Sequence, residues 1–246
     1  MRDMTPYIVG IALFVFLVVW LFWYWLAHYA TCRGDLKEVK SPLIIFDFDG
    51  TICPSYKLFV EQVNFFSHKY NLRRIEEHEI EDFRNMHPKT ALKTLRVSLF
   101  LLPVLLHKAR QNVRSHLLEL KPVPGIAQVL SELSLRGFSL GILTSNSQEN
   151  VIDYLKKYEL DFFDFIYTAK NAFGKEKHLK AILKKTGLNL KTSRVAYVGD
   201  EYRDMIAAHK AQLKSVAVTW GYNSKKLLME SKPDILCDDP RQLLYL

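Results

Sequence analysis

The sequence predicts an α/β fold in which a doubly wound, Rossmann-like parallel sheet carries an inserted helical cap. Short continuous apolar runs recur along residues 42–246, several of them end at polar or acidic residues, and helical periodicity fills the gaps. Continuous apolar runs are typical of strands that are buried on both faces, and their alternation with helices is typical of doubly wound domains. A long apolar segment precedes this domain and predicts an N-terminal transmembrane helix.

The N-terminal segment has the length and composition of a membrane span. Positions 4–32 contain no Asp, Glu, Lys or Arg, and positions 7–26 are apolar or aromatic except for Gly10. About 20 such residues cross the ~30 Å hydrocarbon core of a bilayer. A cleaved signal peptide would have a shorter apolar region and small residues before the cleavage site. We therefore expect a retained anchor at residues 1–30.

The charges after this segment predict its orientation. Arg33, Lys37 and Lys40 follow the span closely, which favours a single-pass protein with its C-terminal domain in the cytoplasm. Residues 31–41 are short and charged, so the sequence predicts a linker there.

The apolar runs of the domain predict five strands separated by helices. The strands are expected at 43–46, 139–143, 163–167, 195–198 and 215–219, and the helices at 126–136, 150–158, 176–185 and 204–211. Residues 56–121 have helical patterns and no clear strand. They are predicted to form a helical cap that is inserted between the two parts of the core, 42–55 and 122–246.

Composition restricts the classes of function. The chain has 246 residues, 49% of them hydrophobic and 24% charged, which excludes a disordered or low-complexity protein. Three Cys favour a reducing compartment over a disulfide framework. The net charge of +8 suits phosphorylated substrates and anionic lipid headgroups. Nucleic-acid binding is not expected, because no basic motif is interleaved with aromatic residues.

Acidic residues follow two of the predicted strands. Asp47 and Asp49 follow the first strand, and Asp200 and Asp204 follow the fourth. Ligands of doubly wound sheets bind outside the carboxyl ends of the strands. Carboxylates from two such ends make an all-oxygen site that suits Mg²⁺. The sequence therefore predicts a magnesium site at this edge.

Three further residues suit a phosphate group. Thr144 follows the second strand and offers a hydroxyl, and Ser145 beside it offers a backbone N–H. Lys175, which Gly174 precedes at the start of a predicted helix, offers a cation that can neutralise phosphate charge. We interpret Thr144, Ser145 and Lys175 as candidate phosphate-binding residues.

These motifs, in this order, resemble those of the haloacid dehalogenase superfamily. The resemblance covers residues 42–246 and rests on DFDGT from Asp47, ILTSN around Thr144, FGKEK around Lys175 and VGDEYRD around Asp200. It is closest to the phosphoglycolate-phosphatase-like branch, which has a helical cap after the first motif.

The resemblance implies roles for the site residues. Asp47 would be the nucleophile that forms an aspartyl-phosphate, and Asp49 would protonate the leaving alkoxide and later take a proton from water. Thr144 and Lys175 would bind phosphoryl oxygens, and Lys175 would also position Asp47.

The resemblance also implies a ligand set for the metal. Mg²⁺ would be held by Asp47, the backbone carbonyl of Asp49 and Asp200, with Asp204 binding directly or through water. Asp49 favours phosphate chemistry, because the dehalogenases of the superfamily lack a second aspartate there.

The predicted function is a membrane-anchored, Mg²⁺-dependent phosphatase of a small, phosphoglycolate-like phosphomonoester. A phosphomutase and a catalytically idle binding module at the membrane are the alternatives. The oligomeric state is not predicted.

The second half of the cap allows two interpretations. Residues 84–121 contain eight Lys or Arg and one Glu, together with an apolar run at 97–106 that Pro103 interrupts. The favoured interpretation is a basic mouth that attracts phosphorylated substrates. The alternative is an amphipathic surface that lies on anionic lipid.

Overall fold

The computed structural model describes most of the chain after the apolar N-terminal segment. The described residues are 30–98, 100–102, 104–105, 108, 116–169, 174–191 and 193–246. The predicted membrane span at 7–26 and part of the apolar run at 97–106 lie outside them. Within these described ranges, no helix has both the length and the apolar character needed to cross a bilayer.

The described residues form one seven-stranded sheet. Its strands are β1 (Ala30–Arg33), β2 (Leu43–Phe46), β3 (Ser139–Thr144), β4 (Phe165–Ala169), β5 (Val195–Gly199), β6 (Lys214–Val218) and β7 (Ile235–Cys237). They lie in the order β1-β4-β3-β2-β5-β6-β7. β2 to β7 run parallel, and β1 runs antiparallel to β4. The predicted α/β fold with a parallel sheet is confirmed, with one antiparallel edge strand added to it.

Helices cover both faces of the sheet and also form the cap. They are α1 (Tyr56–Tyr70), α2 (Ile80–Arg84), α3 (Pro88–Thr94), α4 (Ile126–Leu135), α5 (Gln148–Lys157), α6 (Lys175–Thr186), α7 (Tyr202–Lys210) and α8 (Lys225–Glu230), with 3-10 turns at Glu77–Glu79 and Pro240–Tyr245. Alternate residues of the central strand β2 pack into two different apolar clusters. Ile44 and Phe46 contact the cluster that α4 and α5 complete, and Leu43 and Ile45 contact the cluster that α6 and α7 complete. A strand that is buried on both faces needs this continuous apolar sequence.

The structure corrects the predicted linker at 31–41. β1 occupies its first residues as an edge strand of the sheet, and Leu36 and Val39 are buried in the core cluster that Leu43 and Ile45 also join. The charges of this segment lie on the exposed side of the edge, so they do not indicate a solvated tether. The core therefore begins at β1, ahead of the predicted start at position 42.

The direction of β1 determines at which edge of the sheet Ala30 lies. Because β1 is antiparallel to β4, its first residue, Ala30, pairs with the last residue of β4, Ala169. Ala30, the first described residue, therefore lies at the carboxyl edge of the parallel strands.

The cap is attached to the core at the loop after β6. The Arg84 guanidinium donates to the carbonyl oxygens of Thr219 at 3.1 Å and Gly221 at 3.0 Å. The backbone N–H of Ser224 donates to the Arg84 carbonyl at 3.0 Å. The described cap helices also share a small apolar core of their own, which consists of Val60, Ile75, Phe83 and Leu95. These contacts hold the cap above the carboxyl edge of the sheet.

Candidate active site

Asp47 is held rigidly at the end of β2. Its backbone N–H donates to the carbonyl of Val198 at 2.8 Å. One carboxylate oxygen, Oδ1, accepts from the Phe48 N–H at 2.8 Å, and Oδ2 accepts from Lys175 Nζ at 2.5 Å. The side chain is buried. A carboxylate with both oxygens oriented in this way is suited to attack along one direction.

Lys175 is a buried cation between two carboxylates. It begins α6, and its Nζ donates to Asp47 Oδ2 at 2.5 Å and to Asp204 Oδ1 at 2.6 Å. Burial lowers the pKa of Lys175, but the charges of Asp204 and Asp47 more than offset this, and the net pKa lies well above its ordinary value. Lys175 therefore stays protonated and neutralises part of the carboxylate charge.

The Asp47 carboxyl carries a raised pKa. Burial raises it most, the Lys175 cation opposes this, and Asp204 adds to it, so the pKa reaches about 7 in the metal-free site. A bound cation would favour the ionised form of this carboxyl.

Asp49 has the environment of a general acid. Its carboxylate accepts from Ser55 Oγ at 2.9 Å and from Asn146 Nδ2 at 3.1 Å. Burial raises the pKa of Asp49, and the two hydrogen bonds oppose that increase. A raised pKa favours the protonated form, which is the form that a general acid needs.

Asp200 is buried directly behind the site. Its Oδ1 accepts from Thr51 Oγ1 at 2.8 Å, and its Oδ2 accepts from the Tyr222 N–H at 2.7 Å. A Cβ atom on Gly50 or Gly221 would lie 2.1 or 2.2 Å from that Oδ2, so both positions require glycine. Burial, followed by the charge of Asp47, raises the pKa of Asp200 well above its ordinary value.

Among the described residues, Asp47, Glu201 and Asp204 form a group of carboxylates that could hold a metal ion. Each offers an oxygen, and these oxygens lie within 4.8 Å of one another. Hard oxygen donors from three carboxylates fit Mg²⁺. The structure therefore brings together two of the predicted ligands, Asp47 and Asp204, and adds Glu201, which sequence reasoning missed. Asp200 lies outside this trio and has both carboxylate oxygens hydrogen-bonded to protein.

Glu201 also begins a helix. Its side chain and that of Asp204 form a capping box at the start of α7, and its Oε1 accepts from Arg203 Nη2 at 2.5 Å. Its place beside Asp200 in the VGDEYRD motif was the signal that could have identified it.

Two of the three predicted phosphate-binding residues, Thr144 and Ser145, lie at the end of β3, and the third, Lys175, lies beside Asp47. Thr144 is buried, and its Oγ1 accepts from the Asn146 N–H at 3.0 Å. Ser145 and Asn146 line the cavity, with Asn146 reaching Asp49. Their role with a phosphate group stays a prediction.

A cavity of about 290 Å³ lies between the core and the cap. Asp47 and Asp49 line it at the core side. Further core residues around it are Ser55, Ser145, Asn146, Glu201, Arg203, Tyr222 and Asn223. The Tyr222 ring packs edge-on against Tyr56 of the cap, with ring centres 5.1 Å apart. Nothing in the sequence alone indicated that Tyr222 joins the cap to the Asp200 loop.

Cys53 is unsuited to act as a nucleophile. It is buried, and burial raises the pKa of its thiol far above the ordinary value. This agrees with its interpretation as a packing residue next to the first motif.

The chain belongs to the haloacid dehalogenase-like hydrolase family, whose model matches residues 44–218. A phosphoglycolate phosphatase of Synechococcus elongatus is 32% identical over 202 residues, which are 82% of this chain and 94% of that protein. The pyrophosphatase PpaX of Bacillus anthracis is 25% identical and covers 85% of this chain and 97% of its own. The resemblance inferred from the motifs is confirmed, and with it the phosphatase class of enzyme.

Solved structures show the same fold. A predicted phosphatase from Clostridium acetobutylicum has a TM-score of 0.69 at 22% identity, covering 84% of this chain and 99% of that one. A putative β-phosphoglucomutase from Thermotoga maritima has a TM-score of 0.57 at 20% identity, covering 82% and 96%.

Proposed function

We propose that this phosphatase is Mg²⁺-dependent and hydrolyses a small phosphomonoester through an aspartyl-phosphate on Asp47. The observation that carries the proposal is the placement of Asp47. It is buried at a strand end, oriented by Phe48 and Lys175, and lines a cavity together with Asp49. Nucleophile and general acid are thus next to each other at the floor of one cavity.

The two steps of the proposed reaction use these two side chains. In the first step, an Asp47 oxygen bonds to phosphorus while the bond from phosphorus to the leaving oxygen breaks, and Asp49 gives its proton to that oxygen. In the second step, Asp49 takes a proton from water, whose oxygen bonds to phosphorus and displaces Asp47 as a carboxylate. Lys175 remains protonated throughout and orients Asp47.

Asp47, Glu201 and Asp204 would hold the metal, with Asp200 supporting the site from behind. Bound Mg²⁺ would neutralise negative charge between the nucleophile and the phosphoryl group.

The test is phosphate release by the full-length chain in detergent. We expect hydrolysis of p-nitrophenyl phosphate with Mg²⁺ and its loss with a chelator. Phosphoglycolate and pyrophosphate, which occur in the names of the two relatives, are assayed beside it. Transfer of the phosphoryl group to another hydroxyl of the substrate, without release of free phosphate, would instead indicate a phosphomutase. No turnover of any ester would indicate a binding module.

The requirement for Mg²⁺ is expected to depend on pH. Because the pKa of Asp47 is about 7 in the metal-free site, below pH 7 a proton competes with the metal. The raised pKa of Asp47 also affects the folding stability of the metal-free protein. The Asp47 carboxyl makes its full contribution to stability below its ordinary pKa, and this contribution is lost as the pH rises through 7. Half-saturating Mg²⁺ should therefore increase as the pH falls from 8 to 6. The increase in melting temperature caused by Mg²⁺ should be larger at pH 8.

We also propose that residues 7–26 anchor the domain in a membrane with the catalytic site on the cytoplasmic side. The supporting observations are the apolar sequence, the basic residues after it, and the position of Ala30 at the carboxyl edge. In this arrangement the edge that carries Asp47 lies towards the bilayer.

A cysteine accessibility measurement tests the orientation. Tyr245 is 87% exposed, whereas Cys53 and Cys237 are buried. A Cys32→Ser, Tyr245→Cys chain should resist a membrane-impermeant thiol reagent in intact cells and react after lysis. Reaction in unbroken cells would contradict the orientation and leave the phosphatase proposal unaffected.

A further inference from the structure

Most of the described cap residues that line the cavity are apolar. The apolar ones are Leu58, Phe59, Phe83, Met86, Pro88, Ala91, Leu92, Leu95 and Leu102. These side chains line the same cavity as Asp47 and Asp49, so a phosphomonoester with its phosphoryl group at Asp47 would place its leaving group among them.

The two polar side chains among the described cap residues of this lining, Tyr56 and Gln62, carry no charge. The Tyr56 hydroxyl donates to the carbonyl of Ile80 at 3.3 Å. The Gln62 Oε1 is buried, and none of the described residues donates a hydrogen bond to it. It can accept from one hydroxyl or N–H of a bound molecule, but an amide cannot neutralise an anion.

Among the residues that the structure describes, three cations on or next to the cavity already have partners. Arg203, on the core side, is 2.5 Å from Glu201, and Lys175 contacts Asp47 and Asp204. Arg84 uses its guanidinium on two backbone carbonyls of the loop after β6. Among the described cap residues that line the cavity, none is Lys, Arg or His.

This lining distinguishes between leaving groups. A carboxylate next to the phosphate, as in phosphoglycolate, would lose water without gaining a cation, which is unfavourable. An alkyl group of the same length would bury apolar surface, which is favourable by about three- to fourfold in affinity for each methylene.

We propose, on the basis of the proposed phosphatase function, that the substrate is the phosphomonoester of an apolar alcohol. Its phosphoryl group lies at Asp47, and its hydrocarbon lies against α1, α3 and the residues between α2 and α3. Such an ester can come from water as a short alkyl phosphate or from a bilayer as a long-chain one. Ala30, the first described residue, lies at the same edge of the sheet, which suits delivery from a bilayer.

A homologous series of esters tests the leaving group. The full-length chain in detergent with Mg²⁺ is assayed on ethyl, butyl, hexyl and octyl phosphate, and on phosphoglycolate as the two-carbon match of ethyl phosphate. We expect kcat/KM to increase about three- to fourfold per methylene until the cavity is filled. Ethyl phosphate should exceed phosphoglycolate by about tenfold or more.

The outcomes separate this inference from the proposed function. A flat series, or a preference for phosphoglycolate over ethyl phosphate, would overturn the apolar leaving group and leave the phosphatase intact. Failure of every ester, including p-nitrophenyl phosphate, would overturn both. Vesicles that contain hexadecyl phosphate form a second arm. Faster turnover there than on octyl phosphate in solution identifies the bilayer as the source, and slower turnover identifies the aqueous ester.

A charge introduced into the lining should reverse the preference. Leu92→Lys places a cation in the cavity, and we expect it to favour phosphoglycolate over ethyl phosphate by about tenfold or more, because a charged hydrogen bond replaces an apolar contact. Thr90→Lys adds the same charge to an exposed position of α3 and should leave the preference unchanged. If Leu92→Lys does not fold, Met86→Lys tests the same point. An unchanged preference in a folded cavity variant that still hydrolyses p-nitrophenyl phosphate would contradict the proposal.

Discussion

Asp47→Asn is expected to reduce phosphate release by about 10³-fold or more, because the amide cannot form the phosphoryl-enzyme bond. The fold should tolerate the change. The amide oxygen can accept from Phe48 or from Lys175 but not from both, so one of these hydrogen bonds is lost, while Lys175 keeps its contact with Asp204. Since ionisation of Asp47 is unfavourable in the metal-free site, the neutral amide should not lower the melting temperature appreciably without metal.

Two comparisons make this result specific. Asp161→Asn removes an exposed aspartate outside the cavity and should keep full activity. Mg²⁺ should raise the melting temperature of the parent chain and that of Asp161→Asn, but raise that of Asp47→Asn much less, because one of the three close carboxylates is lost. Phosphate release by Asp47→Asn at the parental rate would remove Asp47 from the role of nucleophile.

The parallel strands could be predicted because a strand buried on both faces shows itself as a short apolar run of neighbouring residues. A strand with helices on both faces needs a continuous apolar run, and Leu43–Phe46 is one, followed immediately by the acidic residues of the site. The position of β4 was predicted two residues early. Phe163 packs against the core from outside the strand, so its apolar side chain extended the run in the wrong direction.

The edges of the sheet could not be predicted in the same way. β1 has one exposed side and contains Thr, Cys and Arg, so it lacks both a continuous run and a clear alternation. β1 is a strand because it pairs with β4, which is distant in the sequence. The hydroxyl groups of Thr31 and Thr168, 137 positions apart, lie 2.6 Å from each other. β7 is only three residues long and gave no periodic signal.

The site residues also divide into those that a short motif predicts and those that depend on contacts between distant segments. Asp47, Asp49, Asp204 and Lys175 each belong to a short motif. In the structure Lys175 donates to Asp47 and Asp204, and its charge also acts on Asp49. The support around them depends on contacts between distant segments. Arg84 holds the Gly221 loop, and the neighbouring Tyr222 N–H holds Asp200, so the cap and the acidic cluster share one loop. No pattern among neighbouring residues predicts that the cap and the acidic cluster share this loop.

Lys175→Met is expected to have the second large effect, this time on stability as well as activity. The methionine fills similar space but leaves Asp47 and Asp204 buried without their shared cation. Removing one partner of a buried charge pair typically costs about 3–5 kcal/mol. The free energy of unfolding of the metal-free protein should therefore fall by about that amount at pH 8.

The loss should be smaller at pH 6, because Asp47, whose pKa is about 7, can then take up a proton in place of the missing cation. Mg²⁺ should restore part of the stability because it is a cation that can bind the same carboxylates, while activity stays low because Asp47 is no longer oriented.

The double variant Lys175→Met/Asp204→Asn is the matched control, because it also removes one of the two buried negative charges. It should recover much of the stability of the parent and none of its activity, which separates the structural share of Lys175 from its part in the reaction. A single variant as stable as the parent at pH 8 would show that the cation between Asp47 and Asp204 does not hold this site together.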